Sequence, residues 1–187
     1  MTARTRAIEG INELQAALAD DHAFEAWYRR TLPRVYAYLL SRCGHDVALA
    51  EELSQQTFVA AIAQSARFDG RSEVVTWLCG IARHKLADHF RAIEREERRQ
   101  MRLEVRQIDV GQGAVDAPGL DDRAAIADAL RSLPAAQRAV LVFVVLDGLP
   151  AAEAGRLMGR SGAATQSLLH RARESFRRAY GGELGHD

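Results

Sequence analysis

A cluster of arginines along one predicted helix is the strongest chemical signal in this sequence. Residues 156–178 contain six arginines and one acidic residue, Glu174, although the whole chain has 25 basic and 25 acidic residues and no net charge. Guanidinium groups bind phosphate oxygens through paired hydrogen bonds. A basic patch on a neutral chain predicts nucleic-acid binding that is confined to this region.

The elements around the patch predict a helix-turn-helix. A short helix leads to Gly148-Leu149-Pro150, a second helix closes at Gly159, and the arginine-rich helix opens at Ser161. Gly155 and Gly159 are four residues apart, which fits a small residue where two helices cross and a glycine in the turn. Ser161 is a predicted N-cap, so the first amides and the dipole of the last helix would face DNA.

Composition limits the other classes of function. The chain has 187 residues, 48% of them hydrophobic, which suits one domain or two smaller ones. Cys43 and Cys79 form no Cys-x-x-Cys pair, so we expect buried thiols in a reducing compartment. His84 and His89 are five residues apart, not the four that place two ligands on one helix face, and neither a metal nor another cofactor is predicted. The longest apolar run is far shorter than the roughly 20 residues of a membrane span, so we expect a cytoplasmic protein without membrane insertion.

Helical periodicity organises the first half of the chain. Residues 1–21 have only weak periodicity and predict either a loose leading helix or a mobile segment. From Phe24 to Cys43 apolar residues recur at helical steps, Pro33 predicts a kink or a boundary between two helical segments, and Gly44 fits a helix end. Asp46 is the predicted N-cap of a second helix. The apolar positions of that helix are Val47, Ala50, Leu53, Phe58, Ala61 and Ile62.

The remaining segments complete an all-helical plan. The turn at residues 67–72 leads into an apolar pattern from Val74 to Ile93 and then a highly charged tail. Residues 107–121 contain glycines and a proline without a sustained period, which predicts a flexible linker. Residues 140–146 are rich in β-branched side chains and would suit a strand, but no partner strand is predicted, so we assign helix. The sequence thus predicts an all-α protein with two small domains, residues 22–106 and 122–182.

Taken in order, these segments resemble a bacterial RNA polymerase sigma factor of the extracytoplasmic-function group, over about residues 24–98 and 123–180. The first block consists of FEAWYRRTLPRVYAYLL (24–40), EELSQQTF (51–58) and RFDGRSEVVTWLCGIAR (67–83), followed by Asp88-His89. The second consists of Leu133-Pro134, Gln137-Arg138, Gly148-Leu149 and LHRAR (169–173). The resemblance implies a region-2-like helical bundle and a region-4-like helix-turn-helix domain, in a protein that directs transcription initiation and is not an enzyme.

The resemblance also implies a role for each candidate residue of the first domain. The helix from Glu51 to Ala63 is similar to the surface that docks on the clamp helices of the polymerase's largest subunit. Its polymerase-binding residues are Glu51, Glu52, Leu53, Gln55, Gln56 and Phe58, with Leu53 and Phe58 beneath the surface. The loop at residues 66–72 is similar to the element that captures an unstacked base of the minus-ten region. The implied minus-ten residues are Arg67, Phe68, Asp69, Gly70, Arg71 and Ser72, with Arg83 and Lys85 on the next helix.

Physical chemistry supports that assignment of the loop. A flipped base requires a pocket of backbone and short side chains with an adjacent cation, because its Watson–Crick edge is recognised after pairing is lost. Arg67, Asp69, Arg71 and Ser72 supply such groups, although Asp69-Gly70 could also be a simple turn. Trp77 is at helical spacing with core residues, so we expect it in the core rather than stacked on DNA.

In the second domain the resemblance places the last helix on the minus-thirty-five element. The implied DNA-binding residues are Ser161, Ala163, Ala164, Thr165, Gln166, Ser167, His170, Arg171 and Arg173. Gln166 is best suited to recognise a base, because an amide can form two hydrogen bonds with adenine. The chain departs from the family at several positions, since Thr165 and Gln166 replace Val and Lys, Leu168 replaces an Arg, and Arg160 replaces an apolar residue. These departures leave promoter choice at this element open.

The partners implied by the resemblance are core RNA polymerase, with one copy of the chain per polymerase, promoter DNA, and an anti-sigma protein of the kind common in the family. One alternative is a free-standing helix-turn-helix regulator with an amino-terminal sensing domain, which predicts dimers. Another is an enzyme or metal protein that uses His84, His89 and the cysteines. The last is a sigma-like fold that has lost DNA recognition.

Overall fold

The computed structural model describes residue 11 and residues 14–104 and 122–183, and these are helical apart from short turns. The elements are α1 (residues 14–19), α2 (Asp21–Arg42), α3 (Val47–Ala63), α4 (Val74–Glu104), α5 (Asp122–Arg131), α6 (Ala135–Leu141), α7 (Ala151–Met158) and α8 (Gly162–Glu183). No strand occurs within these ranges, so the predicted all-α fold class is confirmed. The predicted linker at residues 107–121 lies outside the described residues.

The chain forms two compact units, Met1–Leu86 and Ala87–Asp187, and the division falls inside α4. The first unit contains α1, α2, α3 and the amino-terminal part of α4. The second contains the rest of α4 and α5–α8. None of the described helices is long and apolar enough to cross a membrane.

The helix α2 runs without a break through Pro33. Asp20 begins it as an N-cap, with its carboxylate Oδ2 accepting a hydrogen bond from the Ala23 amide at 2.9 Å. Proline removes one hydrogen bond of the helix, but Trp27 before it and Val35 and Leu39 after it are buried and hold both parts in one core. The alternative of a boundary between two helical segments was therefore wrong. Gly44 follows the helix in the left-handed region (φ 65°), as predicted for a helix end.

The described part of the leading segment includes a short packed helix. Residues 14–19 form α1, and Leu14 and Ala17 are each only 2% exposed. Burial of this kind removes apolar surface from water and offsets the entropy of ordering a short helix. Over residues 14–19 the structure has the predicted helix, and residues 1–10, 12 and 13 lie outside the described residues.

In the second unit, the segment rich in β-branched residues is helical, as predicted. The helix α6 ends at Leu141 and continues as a π-helical turn over Val142–Leu146, in which the Asp147 amide donates to the Val142 carbonyl at 3.0 Å. Val142 and Phe143 are fully buried. Packing of these side chains outweighs the strand propensity of the residues.

Two side chains of α4 pack on α6 and the turn after it, within the second unit. The α6 helix follows Pro134, which offers no side-chain acceptor for its first amides. Both carboxylate oxygens of Glu97 accept a hydrogen bond from the Ala135 amide, at 3.0 and 3.3 Å, and so provide the missing cap. The Phe90 ring meets the Phe143 ring edge to face, with 6.1 Å between centroids.

Candidate functional site

The outer face of α3 presents four predicted polymerase-binding residues to solvent. Asp46 begins the helix by accepting a hydrogen bond from the Leu49 amide at 3.0 Å, which confirms the predicted N-cap. Glu51, Glu52, Gln55 and Gln56 are exposed, and the Gln56 amide donates to Glu52 at 2.9 Å. This face therefore offers carboxylates and amides on a rigid helix.

The two apolar members of the predicted set lie beneath that face. Leu53 and Phe58 are buried. The Phe58 ring contacts Trp27 and Tyr28 of α2 edge to face, with centroids 5.5 and 4.7 Å apart. Such aromatic pairs stabilise by about 1 kcal/mol beyond the area they bury. Both residues fix the position of α3 rather than its surface chemistry.

Sequence analysis missed an apolar extension of the same face. Val59 is 68% exposed and Ile62 is 42% exposed, on the same side of α3 as Glu52 and Gln55. Val47 and Ile62, two apolar positions of the predicted helix, are exposed, while Ala50, Leu53, Thr57 and Ala61 fill the inward face of α3. The signal in the sequence was the spacing, because Val59 and Ile62 follow Glu52 and Gln55 at helical steps and so continue their face. Exposed apolar residues next to polar ones are typical of a docking face.

The loop after α3 is a defined turn with exposed charges. A 3-10 turn over Ser65–Arg67 leads into it, and Gly70 adopts φ 69°, a conformation that favours glycine. Asp69 accepts a hydrogen bond from the Arg71 amide at 3.1 Å and forms an ion pair with the Arg71 guanidinium, also at 3.1 Å. The four polar residues predicted at the minus-ten site, Arg67, Asp69, Arg71 and Ser72, are all exposed.

Phe68 is the exception in this loop. It was predicted to contact minus-ten DNA, but it is 6% exposed and its ring packs on Trp77 of α4, with 5.1 Å between centroids. An apolar ring in a mostly charged loop is more stable inside, because burial removes it from water. Phe68 therefore anchors the loop and offers no open ring face to a base. Trp77 supports it from α4 and is half-buried, whereas its helical spacing predicted a core position.

The two cations predicted on α4 are less exposed than those of the loop. Arg83 and Lys85 are half-buried, and both belong to the first unit, as do the loop residues. Long basic side chains commonly bury their alkyl stems while their charged groups remain near solvent.

The turn between α7 and α8 is fixed by two glycines, as predicted. Gly159 ends α7 with φ 66°. A Cβ atom added to Gly155 would lie 2.6 Å from Thr165 Oγ1 and 2.9 Å from the Arg160 carbonyl oxygen, closer than real side chains allow. Gly155 is thus required where α7 and α8 cross, and the sharp angle of a helix-turn-helix follows.

Ser161 begins α8, and most predicted minus-thirty-five residues project outward from it. The Ser161 hydroxyl accepts a hydrogen bond from the Ala164 amide at 3.3 Å. The exposed members of the predicted set are Ser161, Ala163, Ala164, Gln166, Ser167, His170, Arg171 and Arg173. His170 lies 3.4 Å from Glu174, an ion pair only when the imidazole is protonated.

Thr165 was wrongly included among the DNA contacts. It is fully buried under α7, and its hydroxyl donates to the Ser161 carbonyl at 2.8 Å. Leu168 and Ala172 continue the same buried face of α8 at steps of three and four residues. The family's Arg at position 168 is therefore replaced by a residue that packs in the core.

Arg160, an unusual residue for its position, forms an ion pair inside the second unit. Its guanidinium contacts the Glu94 carboxylate of α4, which also binds Arg98. Both Arg160 and Glu94 are largely shielded from solvent, so their attraction is less screened than that of a surface pair. One arginine of the basic patch is thus held in an ion pair and is less available to DNA than the exposed arginines of α8.

Comparison with known proteins identifies the family. The Sigma-70 region 2 family matches residues 27–96, and the Sigma-70 region 4 family matches residues 123–176. The ECF RNA polymerase sigma factor SigC of Mycobacterium tuberculosis is 32% identical over 163 residues, which span 87% of this chain and 86% of that relative. The ECF sigma factor SigF of Caulobacter vibrioides is 36% identical over 152 residues, 79% of this chain and 82% of SigF.

A solved structure supports the same fold. The sigma factor RpoE from Bartonella quintana, solved in complex with the anti-sigma factor NepR, superposes with a TM-score of 0.51 at 24% identity, covering 84% of this chain and 96% of that chain. The fold, together with the two family matches, is that of a two-region transcription initiation factor. The chain belongs to the ECF group of RNA polymerase sigma factors, and the predicted function in transcription initiation is confirmed over that of a free-standing regulator. Sigma factors are DNA-recognition subunits rather than enzymes.

Proposed function

We propose that the chain acts through three separate surfaces. The outer face of α3 docks on core RNA polymerase, the loop at residues 66–72 captures a base of the minus-ten element, and the outer face of α8 recognises the minus-thirty-five element. The observation with most weight is the family match over both regions, together with the exposure of each predicted polar face. In this proposal one copy of the chain binds each polymerase.

The domain limits in this proposal follow the functional surfaces rather than the compact units. Residues 22–106 hold the polymerase and minus-ten surfaces, residues 107–121 link them to the rest of the chain, and residues 122–182 hold the minus-thirty-five surface. A tether of this kind allows two recognition elements to bind one DNA duplex together, so neither needs high affinity alone.

The loop residues suggest how the duplex is opened. Extruding a base costs a few kcal/mol of stacking and pairing, which contacts to the captured base must offset. The Asp69–Arg71 ion pair keeps the Arg71 guanidinium near the turn, where it is positioned to meet a phosphate or the edge of the base. Arg83 and Lys85 then bind backbone phosphates of the same strand.

On α8 the proposed contacts divide into base recognition and positioning. Gln166 is exposed one turn into the helix and can bind an adenine edge through two hydrogen bonds. Arg171 and Arg173 bind phosphates, which fix the register of the helix without selecting sequence. The capped amino terminus of the helix faces the DNA backbone.

The proposal extends to partners and place of action. The chain works by binding in the cytoplasm, where the polymerase and promoter DNA are, and it has no catalytic activity and no cofactor of its own. An anti-sigma protein is the expected negative regulator, as implied by family membership.

In vitro transcription with core polymerase on a genomic DNA library tests the three surfaces together. We expect run-off products that share an upstream motif. Glu52→Lys should abolish polymerase binding, whereas Arg71→Ala should reduce initiation about tenfold with polymerase binding retained. Gln166→Ala should cost about 1–3 kcal/mol of discrimination at one base of the upstream element.

The matched control is Glu25→Lys, which reverses an exposed acidic residue on another helix, α2. It should bind polymerase normally. Equal losses of polymerase binding and initiation in Arg71→Ala would contradict the base-capture role, and normal polymerase binding by Glu52→Lys would contradict the docking face.

A further inference from the structure

The turn between α7 and α8 contains an arginine whose charge is already bound within the chain. Arg160 directly precedes Ser161, the N-cap of α8, and its guanidinium contacts the Glu94 carboxylate of α4. Glu94 lies in the region 2 match and Arg160 in the region 4 match, while both belong to the second compact unit. Neither family match accounts for this ion pair, because each contains only one of its partners.

We propose that Glu94 masks a phosphate-binding residue: its carboxylate occupies the Arg160 guanidinium, which would otherwise bind a phosphate of the upstream promoter element. The inference rests on the proposed function of α8 and adds a restraint on its affinity for DNA. In that function the amino terminus of α8 faces the DNA backbone, and an arginine one residue before the cap lies beside the same backbone. The masked charge therefore lies where a phosphate is expected.

The ion pair is held at a single point and is shared. Nη2 of Arg160 donates to Oε1 of Glu94, and the same oxygen accepts a hydrogen bond from Nη2 of Arg98. Nε of Arg160 is buried and meets no acceptor within the described part of the chain. A phosphate can bind a guanidinium through two parallel hydrogen bonds, so it would satisfy a second donor that the carboxylate leaves unpaired. Glu94 competes because it belongs to the same chain, which gives it a high effective concentration.

The surroundings of the ion pair also favour an anion. A cleft of about 590 Å³ lies between α4 and the turn, within the second unit. Its charged lining residues are Asp88, Arg91, Glu94, Arg95, Arg98 and Arg160. Four cations against two carboxylates leave an excess of positive charge, which attracts phosphate groups. Glu94 keeps Arg98 as a partner when Arg160 leaves.

The backbone of the turn does not depend on the ion pair. The Arg160 amide donates to the Gly155 carbonyl at 2.8 Å, and Gly155 fits closely against Thr165. Removal of the Glu94 charge should therefore free the Arg160 side chain and leave the crossing of α7 and α8 in place. Glu94 is a positioning residue that acts through Arg160.

Neutralising Glu94 gives a test in which masking and a merely structural role predict opposite signs. Holoenzyme is assembled from core polymerase and each full-length variant, and its Kd for a promoter fragment carrying the selected upstream motif is measured by fluorescence anisotropy. Glu94→Gln should tighten binding about fivefold, because Arg160 gains a phosphate. A structural role for the ion pair predicts weaker binding instead. Glu96→Gln, at an exposed neighbour paired with Arg99, is the matched control and should change Kd less than about twofold.

A double-mutant cycle tests whether the gain depends on Arg160. In an Arg160→Gln background, Glu94→Gln should change Kd by less than about twofold. Neutral methylphosphonates placed singly along the upstream backbone then locate the phosphate. At one position the gain from Glu94→Gln should disappear, whereas it should persist at the others.

The inference is overturned if neither Glu94→Gln nor a second variant, Glu94→Ala, binds promoter DNA more tightly than wild type. Thermal unfolding of both variants checks that the second unit remains folded. A gain that persists in the Arg160→Gln background, or at every methylphosphonate position, also overturns it, since the carboxylate would then act without Arg160. If scrambling the upstream motif leaves binding by wild-type holoenzyme unchanged, the proposed function of α8 itself fails.

Discussion

The two proposed DNA-binding surfaces are built in different ways. The turn between α7 and α8 is fixed by backbone packing, since Gly155 meets Thr165 and Arg160 at distances that exclude any side chain. The loop at residues 66–72 is held by one buried ring, Phe68, while its polar groups lie in solvent. A helix that enters an intact groove needs a fixed angle to the helix before it. A loop that receives a nucleobase needs a firm anchor in the core and functional groups that remain exposed.

The largest effect should come from breaking the packed turn. Gly155→Val adds a branched side chain where even a Cβ does not fit, and we expect the second unit to lose about 3 kcal/mol of stability. The two tryptophans, Trp27 and Trp77, both lie in the first unit. Urea unfolding of Gly155→Val, monitored by circular dichroism, should therefore show a transition at a lower urea concentration than in the wild type. The midpoint measured by tryptophan fluorescence should stay unchanged.

Gly162→Ala is the matched control, because a Cβ at Gly162 meets open space. This variant should change stability by no more than about 0.5 kcal/mol. If the unfolding midpoints from both probes shift together in Gly155→Val, the two units do not unfold separately. If the dichroism curve is unchanged, the close packing at Gly155 does not stabilise the second unit.

An intermediate effect is expected from the anchor of the loop. Phe68→Leu keeps an apolar side chain but loses the ring contact with Trp77, so the first unit should be destabilised by about 1 kcal/mol. Tryptophan fluorescence in urea should show a lower midpoint. Phe176→Leu, which removes a ring stacked on Tyr180 in the second unit, should leave that midpoint unchanged; an equal shift would show that the probe is not local.

The smallest effect concerns the exposed pair in the loop. Asp69→Asn keeps an oxygen that accepts the Arg71 amide but removes the ion pair, and because both groups are exposed the stability should change by less than about 0.5 kcal/mol. Asp69→Ala, which also removes the hydrogen-bond acceptor, should cost more. Comparison of the two midpoints at low and high salt measures the difference, and a salt-sensitive loss above 1 kcal/mol for Asp69→Asn would show that charge, not the turn, holds the loop.

Local signals in the sequence predicted much of this architecture. Helix caps, turn glycines and helical periodicity depend on residues close together in the sequence, so they can be predicted without knowledge of the tertiary contacts. The examples here are the caps Asp46 and Ser161 and the glycines Gly155 and Gly159. The helix over residues 140–146 was predicted for lack of partner strands, although its π-helical turn was not. Weak periodicity likewise left α1 undecided, because the burial of Leu14 and Ala17 depends on tertiary packing that a local pattern does not reveal.

The errors in the candidate site have a common cause. Thr165 and Phe68 were assigned to DNA because they stand within motifs whose other members face outward. Position in a motif does not reveal which face of a helix or loop packs inward, and that depends on contacts such as Gly155 with Thr165 and Phe68 with Trp77. Ile62 and Val59 were missed for the opposite reason, since apolar residues on a helix are usually assigned to the core.

The ion pair of Arg160 has a consequence for the ionic-strength dependence of promoter binding. Each cation that neutralises a DNA phosphate releases condensed counterions and steepens the dependence of log K on log salt concentration by about 0.9. Arg160 is held in an ion pair with Glu94, which it shares with Arg98, and is therefore less available to a DNA phosphate. The slope of log K against log salt concentration should therefore reflect the number of exposed arginines on α8 and not the number of all basic residues in the region.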